Sequence, residues 1–135
     1  MEIKNGKITD VTLTMKDHGV LTFYLMVEGG GIAFGYGGYC IGHGYLGAND
    51  FDGSGKGMEA IMRIMNTIGV DSWEDLKGKY LRYEYDGLGS CVTKIGHIIE
   101  DKWFDIKEFF DEAKKEYADL NRAKTFEEQT HLTDA

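Results

Sequence analysis

Residues 29–57, GGGIAFGYGGYCIGHGYLGANDFDGSGKG, hold most of the groups whose types and spacing could do chemistry. Within them Asp50-Phe51-Asp52-Gly53-Ser54-Gly55 copies the first half of an EF-hand calcium loop. Such a loop needs a bidentate carboxylate at its twelfth position, which here is Ile61; Glu59 comes two residues early. The bland reading, an acidic turn, is preferred. Gly53-Ser54-Gly55-Lys56-Gly57 resembles a phosphate-binding loop at a helix start. It carries Asp50 where the motif has its first glycine and Gly57 where it has Ser or Thr. Nucleotide hydrolysis is therefore not expected, although exposed N–H groups beside Lys56 could still hold a phosphate. Cys40-x-x-His43 with Cys91 and His97 could supply four zinc ligands, but the second pair lacks the spacing of a ribbon or finger. Core thiols and unrelated histidines are the simpler reading. Ser54 and Ser90 lack the frame of a nucleophile elbow. No catalytic constellation emerges, no metal or cofactor is expected, and the chain reads as a non-enzyme.

What remains is a recognition surface. The stretch contains twelve of the chain's nineteen glycines, interleaved with Phe34, Tyr36, Tyr39, Tyr45 and Phe51. Glycine is costly to order and packs nothing, so its concentration implies close backbone approach, positive φ angles or a loop around a ligand. Interleaved aromatic rings offer the flat faces on which bases and sugars stack. Cations are scarce. Arg63, Arg82 and Arg122 are the arginines, and Lys94 and Lys102 flank Ile95-Gly96-His97. Arg82 is expected to pair with Glu84 on its own strand.

Positioning these groups falls to hairpins and two helices. Residues 2–15, 20–28 and 32–41 read as strands separated by Lys16-Asp17-His18-Gly19 and Gly29-Gly30. On the third strand Gly35 and Gly37 leave one face bare, against which a helix, an aromatic ring or a second subunit should lie. Residues 42–55 read as a loop. Met58, Ile61, Met62, Met65 and Ile68 recur at helical spacing until Gly69. Ser72-Trp73-Glu74-Asp75 and Asp105-Ile106-Lys107-Glu108 read as capping boxes. Between them, residues 79–86 and 91–99 form a hairpin through Gly87-Leu88-Gly89. The last helix directs Ile106, Phe109, Phe110, Ala113, Tyr117 and Leu120 inward. The expectation is one α+β domain over 1–122, an antiparallel β-sheet of hairpins with two main α-helices, and a loose tail over 123–135.

Bulk composition narrows the partners. With 135 residues the chain can bury a core unaided. Fifteen Lys and Arg against twenty-three Asp and Glu give a net charge of −8, which disfavours binding to nucleic-acid polymers or acidic membranes. The start MEIKNGKITD does not resemble a signal peptide, and two cysteines without a leader read as reduced thiols in a cytosolic protein.

Four segments carry a resemblance: ITDVTLTMKDHGVLTFYLMVEGGG, FGYGGY, GMEAIMRIMNTIGVDSWEDLKGKYLR and IGHIIEDKWFD. Across roughly residues 2–110 the chain resembles the Thoeris anti-defence signal-sponge family of phage proteins, first type. The resemblance implies a protein made in the cytoplasm of an infected bacterium. Such a protein sequesters a cyclic ADP-ribose isomer without cleaving it, so that the defence effector is not activated. It also implies homodimers with ligand pockets at subunit seams. In some members it implies trimers of dimers with further sites for cyclic di- or trinucleotides. On the C-terminal helix, where an arginine pair would grip phosphates, this chain has Lys107, Lys114 and Lys115. The candidates for a backbone-phosphate or threefold site are Gly30, Gly31 and Arg63. For the dimer-seam pocket they are Arg82, Tyr83, Lys94, His97, Trp103 and Phe104. Two other classes compete: an acidic phage inhibitor that covers a host defence protein such as a CRISPR effector, and an esterase or phosphodiesterase that destroys the messenger.

Overall fold

The structure is a computed structural model that describes residues 1–44 and 50–133, with side chains through residue 120; Tyr45 and Gly47 lie outside the described residues. Eight strands form one antiparallel sheet: β1 (Glu2–Asp17), β2 (Val20–Gly29), β3 (Ile32–Gly37), β4 (Gly42–Gly44), β5 (Phe51–Gly53), β6 (Tyr80–Tyr85), β7 (Lys94–His97) and β8 (Trp103–Asp105). Helix α1 spans Gly55–Ile68 and helix α2 Ile106–Thr133, with a short 3-10 turn at Trp73–Leu76 between the strands. The α+β class and antiparallel sheet are as the sequence predicts. Strand order is β5-β4-β2-β1-β6-β7-β8, with β3 also paired to β2.

Strand β1 is long enough to serve two partners, β6 along Glu2–Lys7 and β2 along Lys7–Asp17. A register shift between Ile8 and Asp10 bends it where the partners change. Alternation puts Phe23, Leu25, Val27, Leu81, Tyr83 and Ile95 on one face, all without exposed surface. Against them pack Ala60, Ile64 and Ile68 of α1 and Ile106 and Phe110 of α2. Each fully buried aliphatic side chain contributes about 1.5–3 kcal/mol of transfer free energy. Tyr36 reaches across this core, its hydroxyl 3.1 Å from the Thr93 carbonyl and 3.2 Å from that of Phe104. It ties β3 to the far edge of the sheet, and burial pushes its hydroxyl pKa well above the ordinary range.

Helix α1 begins and ends for readable reasons. The Ser54 hydroxyl accepts the Gly57 N–H at 3.0 Å, and Gly69 closes the helix at φ 92°, a left-handed angle that favours glycine. Its buried stripe keeps only part of the expected spacing: Ile68 is buried and Ile61 and Met65 are partly buried against the core. Gly57, Ala60, Ile64, Thr67 and Ile68 face the core, while Met58 and Met62 are each 66% exposed. A Cβ on Gly57 would collide with Ile41, so small residues let the helix approach the chain before β4.

Other expectations are revised. Residues 42–55 are not simply a loop: β4 and β5 form a small hairpin against β2. The third strand ends at Gly37, and its bare face is met by Met26 and the Tyr24 ring at Gly35 and by the backbone and ring of Phe23 at Gly37. Ser72 makes no side-chain capping bond, whereas Asp105 does cap its helix, accepting the Glu108 N–H at 3.1 Å. On α2 only the first turns are covered. Tyr117 and Leu120 are 69% and 60% exposed, not inward, and the helix continues past 122 to Thr133.

Candidate functional site

The candidate site lies on the sheet face opposite the core, where four strands bring one lane of residues into register. Asn5 of β1 pairs with Arg82 of β6, Arg82 with Gly96 of β7, and Gly96 with Trp103 of β8. The glycine is required. A Cβ at Gly96 would stand 2.5 Å from Cε3 of Trp103, so the indole lies directly on the β7 backbone. Arg82 then rests against the indole, its Cζ 4.8 Å from the ring centroid. Such a cation–π contact contributes roughly 0.5–1 kcal/mol at an exposed site.

Two backbone carbonyls fix the guanidinium. Nε of Arg82 donates to the His97 carbonyl at 2.7 Å and Nη2 to the Glu100 carbonyl at 2.7 Å. The group has five N–H donors in a rigid fork, of which these bonds engage two. Because carbonyls hold it rather than a carboxylate, its charge is not neutralised locally. Lys94 sits two residues before Gly96 on β7, Nζ 5.6 Å from the same indole and 3.3 Å from Glu84. Trp103 is itself oriented by a 3.0 Å bond from its indole N–H to Asp101. Two residues before Arg82, Tyr80 presents a 57% exposed ring, with Lys7 Nζ 5.8 Å from its centroid. The result is a ledge of two aromatic planes and three cations, with Glu84 as the carboxylate paired to Lys94.

Arg82, Lys94 and Trp103 thus come together as the sequence reading groups them. Tyr83 and Phe104 do not join them. Each is the strand neighbour of a ledge residue and so must point to the opposite face. Tyr83 is fully buried, with its hydroxyl bonded to the Gly29 carbonyl at 2.7 Å and its ring edge-on to Phe34. Phe104 is 7% exposed and packs on Phe109. His97 stands behind the ledge: its Nδ1 accepts the N–H groups of Ile99 and Glu100 at 3.0 and 2.9 Å. The expected Arg82–Glu84 pair is replaced by Lys94–Glu84. Lys7 and Tyr80 belong to the ledge but not to the predicted pocket, because their proximity depends on the β1–β6 register.

Gly30 and Gly31 form the β2–β3 turn at φ 66° and 85°, and the Gly30 carbonyl accepts from Lys4 Nζ at 2.8 Å. Arg63 keeps different neighbours. Its Nε bonds Glu59 at 2.7 Å and its Cζ lies 5.6 Å from the Phe109 ring. That bond, ahead of all other influences, holds the Glu59 carboxyl below its ordinary range. The structure therefore shows Arg63 in an ion pair with Glu59.

The sulfhydryls of Cys40 and Cys91 are free and exposed, and His43 Nε2 lies 3.6 Å from Asp52. Among the described residues no three His, Cys, Asp or Glu side chains are grouped so as to hold a metal ion. Among the described residues, no helix is long and apolar enough to cross a membrane. No protein-family model, curated protein or solved structure matches the chain.

Proposed function

We propose that this chain binds and sequesters a cyclic ADP-ribose-type signalling nucleotide without cleaving it, as a phage-encoded anti-defence protein acting in the infected bacterial cytoplasm. The observation that carries this reading is the Arg82–Trp103 ledge. A guanidinium fixed by two carbonyls is a ready pyrophosphate partner, since its remaining N–H donors match phosphate oxygens. The Tyr80 ring, on the same strand face, is a surface for the adenine. On a molecule with net charge −8 such a group of cations stands against the overall balance of charge.

Sequestration requires affinity and slow release, and it needs no general acid, base or metal. The ledge is exposed to solvent at Tyr80. A second protomer closing over it supplies the enclosure that slow release requires, which agrees with the dimers that the resemblance implies. Cyclic di- and trinucleotides are the further ligands to test.

Thermal stability with free nucleotides is the discriminating experiment. A ligand at a hundred times its dissociation constant stabilises the native state by about 2.7 kcal/mol. In a domain of this size that raises Tm by several degrees. The expected result is such a rise with a cyclic ADP-ribose isomer, and a ligand of unchanged mass after the complex is denatured. No rise with any cyclic nucleotide overturns the reading in favour of a protein target. A changed mass overturns it in favour of an enzyme.

A further inference from the structure

The five N–H donors of Arg82 are useful to an anion only while the guanidinium is held in one place, and what holds it is a turn. Residues 97–102 leave β7 and return to β8, with the His97 N–H bonded to the Lys102 carbonyl at 2.9 Å and the Lys102 N–H to the Glu100 carbonyl at 2.9 Å. Inside this turn the N–H groups of Ile99 and Glu100 both converge on one atom, Nδ1 of His97. The carbonyls of His97 and Glu100 consequently face the other way, toward Arg82. We propose that His97 is the positioning residue of the ledge: its imidazole, accepting two backbone N–H groups at Nδ1, shapes the 97–100 turn whose carbonyls clamp the Arg82 guanidinium.

The chemistry of the ring supports this assignment over ligand contact. A nitrogen that accepts two N–H groups has no hydrogen, so the ring's hydrogen is on Nε2. Nε2 is the ring atom nearest to Gly69, lying 3.7 Å from where a Cβ on that residue would stand, so this edge faces the end of α1. Nδ1 is thus committed to the backbone of its own turn, while Nε2 lies beside the end of α1. His97 also pairs with Leu81 across the sheet, an apolar neighbour on β6. A small acceptor is required at this position, and an apolar side chain would leave two N–H groups without their partner. Asparagine offers an equivalent: its Oδ1 falls near the place of Nδ1 and has two lone pairs. Glutamine places its oxygen one bond further out and does not reproduce the geometry.

Importance of the clamp for nucleotide binding rests on the function proposed above; the clamp itself does not. The two are separated by measuring both. In protein labelled with 15N-histidine, long-range proton–nitrogen spectra should show Nδ1 of His97 without hydrogen and Nε2 carrying it. The Arg82 Nε–H should exchange slowly with solvent in the wild type and in His97→Asn. In His97→Ala it should exchange at least tenfold faster, while the Nε–H of Arg63, bonded only within α1, is unchanged. Titration with cyclic ADP-ribose isomers should follow the same order, with affinity reduced at least tenfold in His97→Ala and restored in His97→Asn. A hydrogen on Nδ1, or unchanged Arg82 exchange in a folded His97→Ala, overturns the proposal. If the alanine variant does not fold, the wild-type tautomer and the exchange rate in His97→Asn still decide it. Wild-type protein that shows the clamp but binds no nucleotide overturns the functional reading alone.

Discussion

At the scale of single residues, Arg82 and Gly96 make the ledge, and they do so for different reasons. Lysine at position 82 would keep the charge but lose the planar fork that bonds two carbonyls and lies along Trp103. Arg82→Lys should therefore weaken nucleotide binding about tenfold or more, roughly 1.4 kcal/mol, with Tm little changed; equal affinity by titration would contradict the role given to the fork. Gly96→Ala acts from beneath, since the methyl group displaces the indole from the strand. It should cost about 1–3 kcal/mol in urea unfolding and shift the tryptophan emission as Trp103 moves. An unaltered emission spectrum would mean that the ring does not lie on the β7 backbone. Arg82 and Lys94 are legible in the sequence as scarce cations, and Trp103 stands with them among the candidates for the seam pocket that the resemblance implies. Tyr83 and Phe104 were grouped with them by adjacency, and alternation along a strand separates what adjacency joins.

At the scale of elements, legibility followed side-chain signals. Strand β6 and the C-terminal end of α1 are readable because alternation and a terminal glycine each leave a mark. Strands β4 and β5 were not, because Gly42-His43-Gly44 and Phe51-Asp52-Gly53 are short and have almost no alternation to read. Strand β8 has only three residues, Trp103–Asp105, immediately after a turn. The face of α1 is only partly legible from apolar spacing: Ile68, Ile61 and Met65 do face the core, but Gly57 and Ala60, small residues that carry no apolar signal, share it while Met58 and Met62 are exposed. Helix α2 gives the clearest test of packing against pattern. Phe110 stacks on Tyr39 with centroids 4.4 Å apart, whereas Leu120 is 60% exposed. Phe110→Ala should cost about 3–5 kcal/mol and Leu120→Ala no more than about 0.5 kcal/mol, measured by urea unfolding of both variants. A large loss at Leu120 would reveal a partner on that stripe.

At the scale of the whole molecule, charge sets both stability and partners. Lys102 bonds Glu100 and holds its carboxyl below the ordinary 4.5, Arg63 does so for Glu59, and Lys107 holds Asp111 below 3.8. Groups whose folded values are depressed stabilise the fold above their unfolded values, and that contribution is lost as pH falls through the folded ones. Stability should thus decline below about pH 4.5, whereas Lys107, raised above 10.5 by Asp111, loses its contribution only in strong alkali. Unfolding followed from pH 3 to 7 checks this, and a flat profile below pH 4.5 would show that these pairs do not couple to folding. The same excess of carboxylates repels polyanions, so an anionic ligand needs local cations, and the proposed site offers Arg82, Lys94 and Lys7. Calorimetric titration of wild-type and Arg82→Ala protein with cyclic ADP-ribose isomers addresses that site most directly. Tight binding by the wild type, loss of at least tenfold in the variant and recovery of the ligand at its original mass are the predicted result. Equal binding by both proteins, or no heat from either, would contradict it.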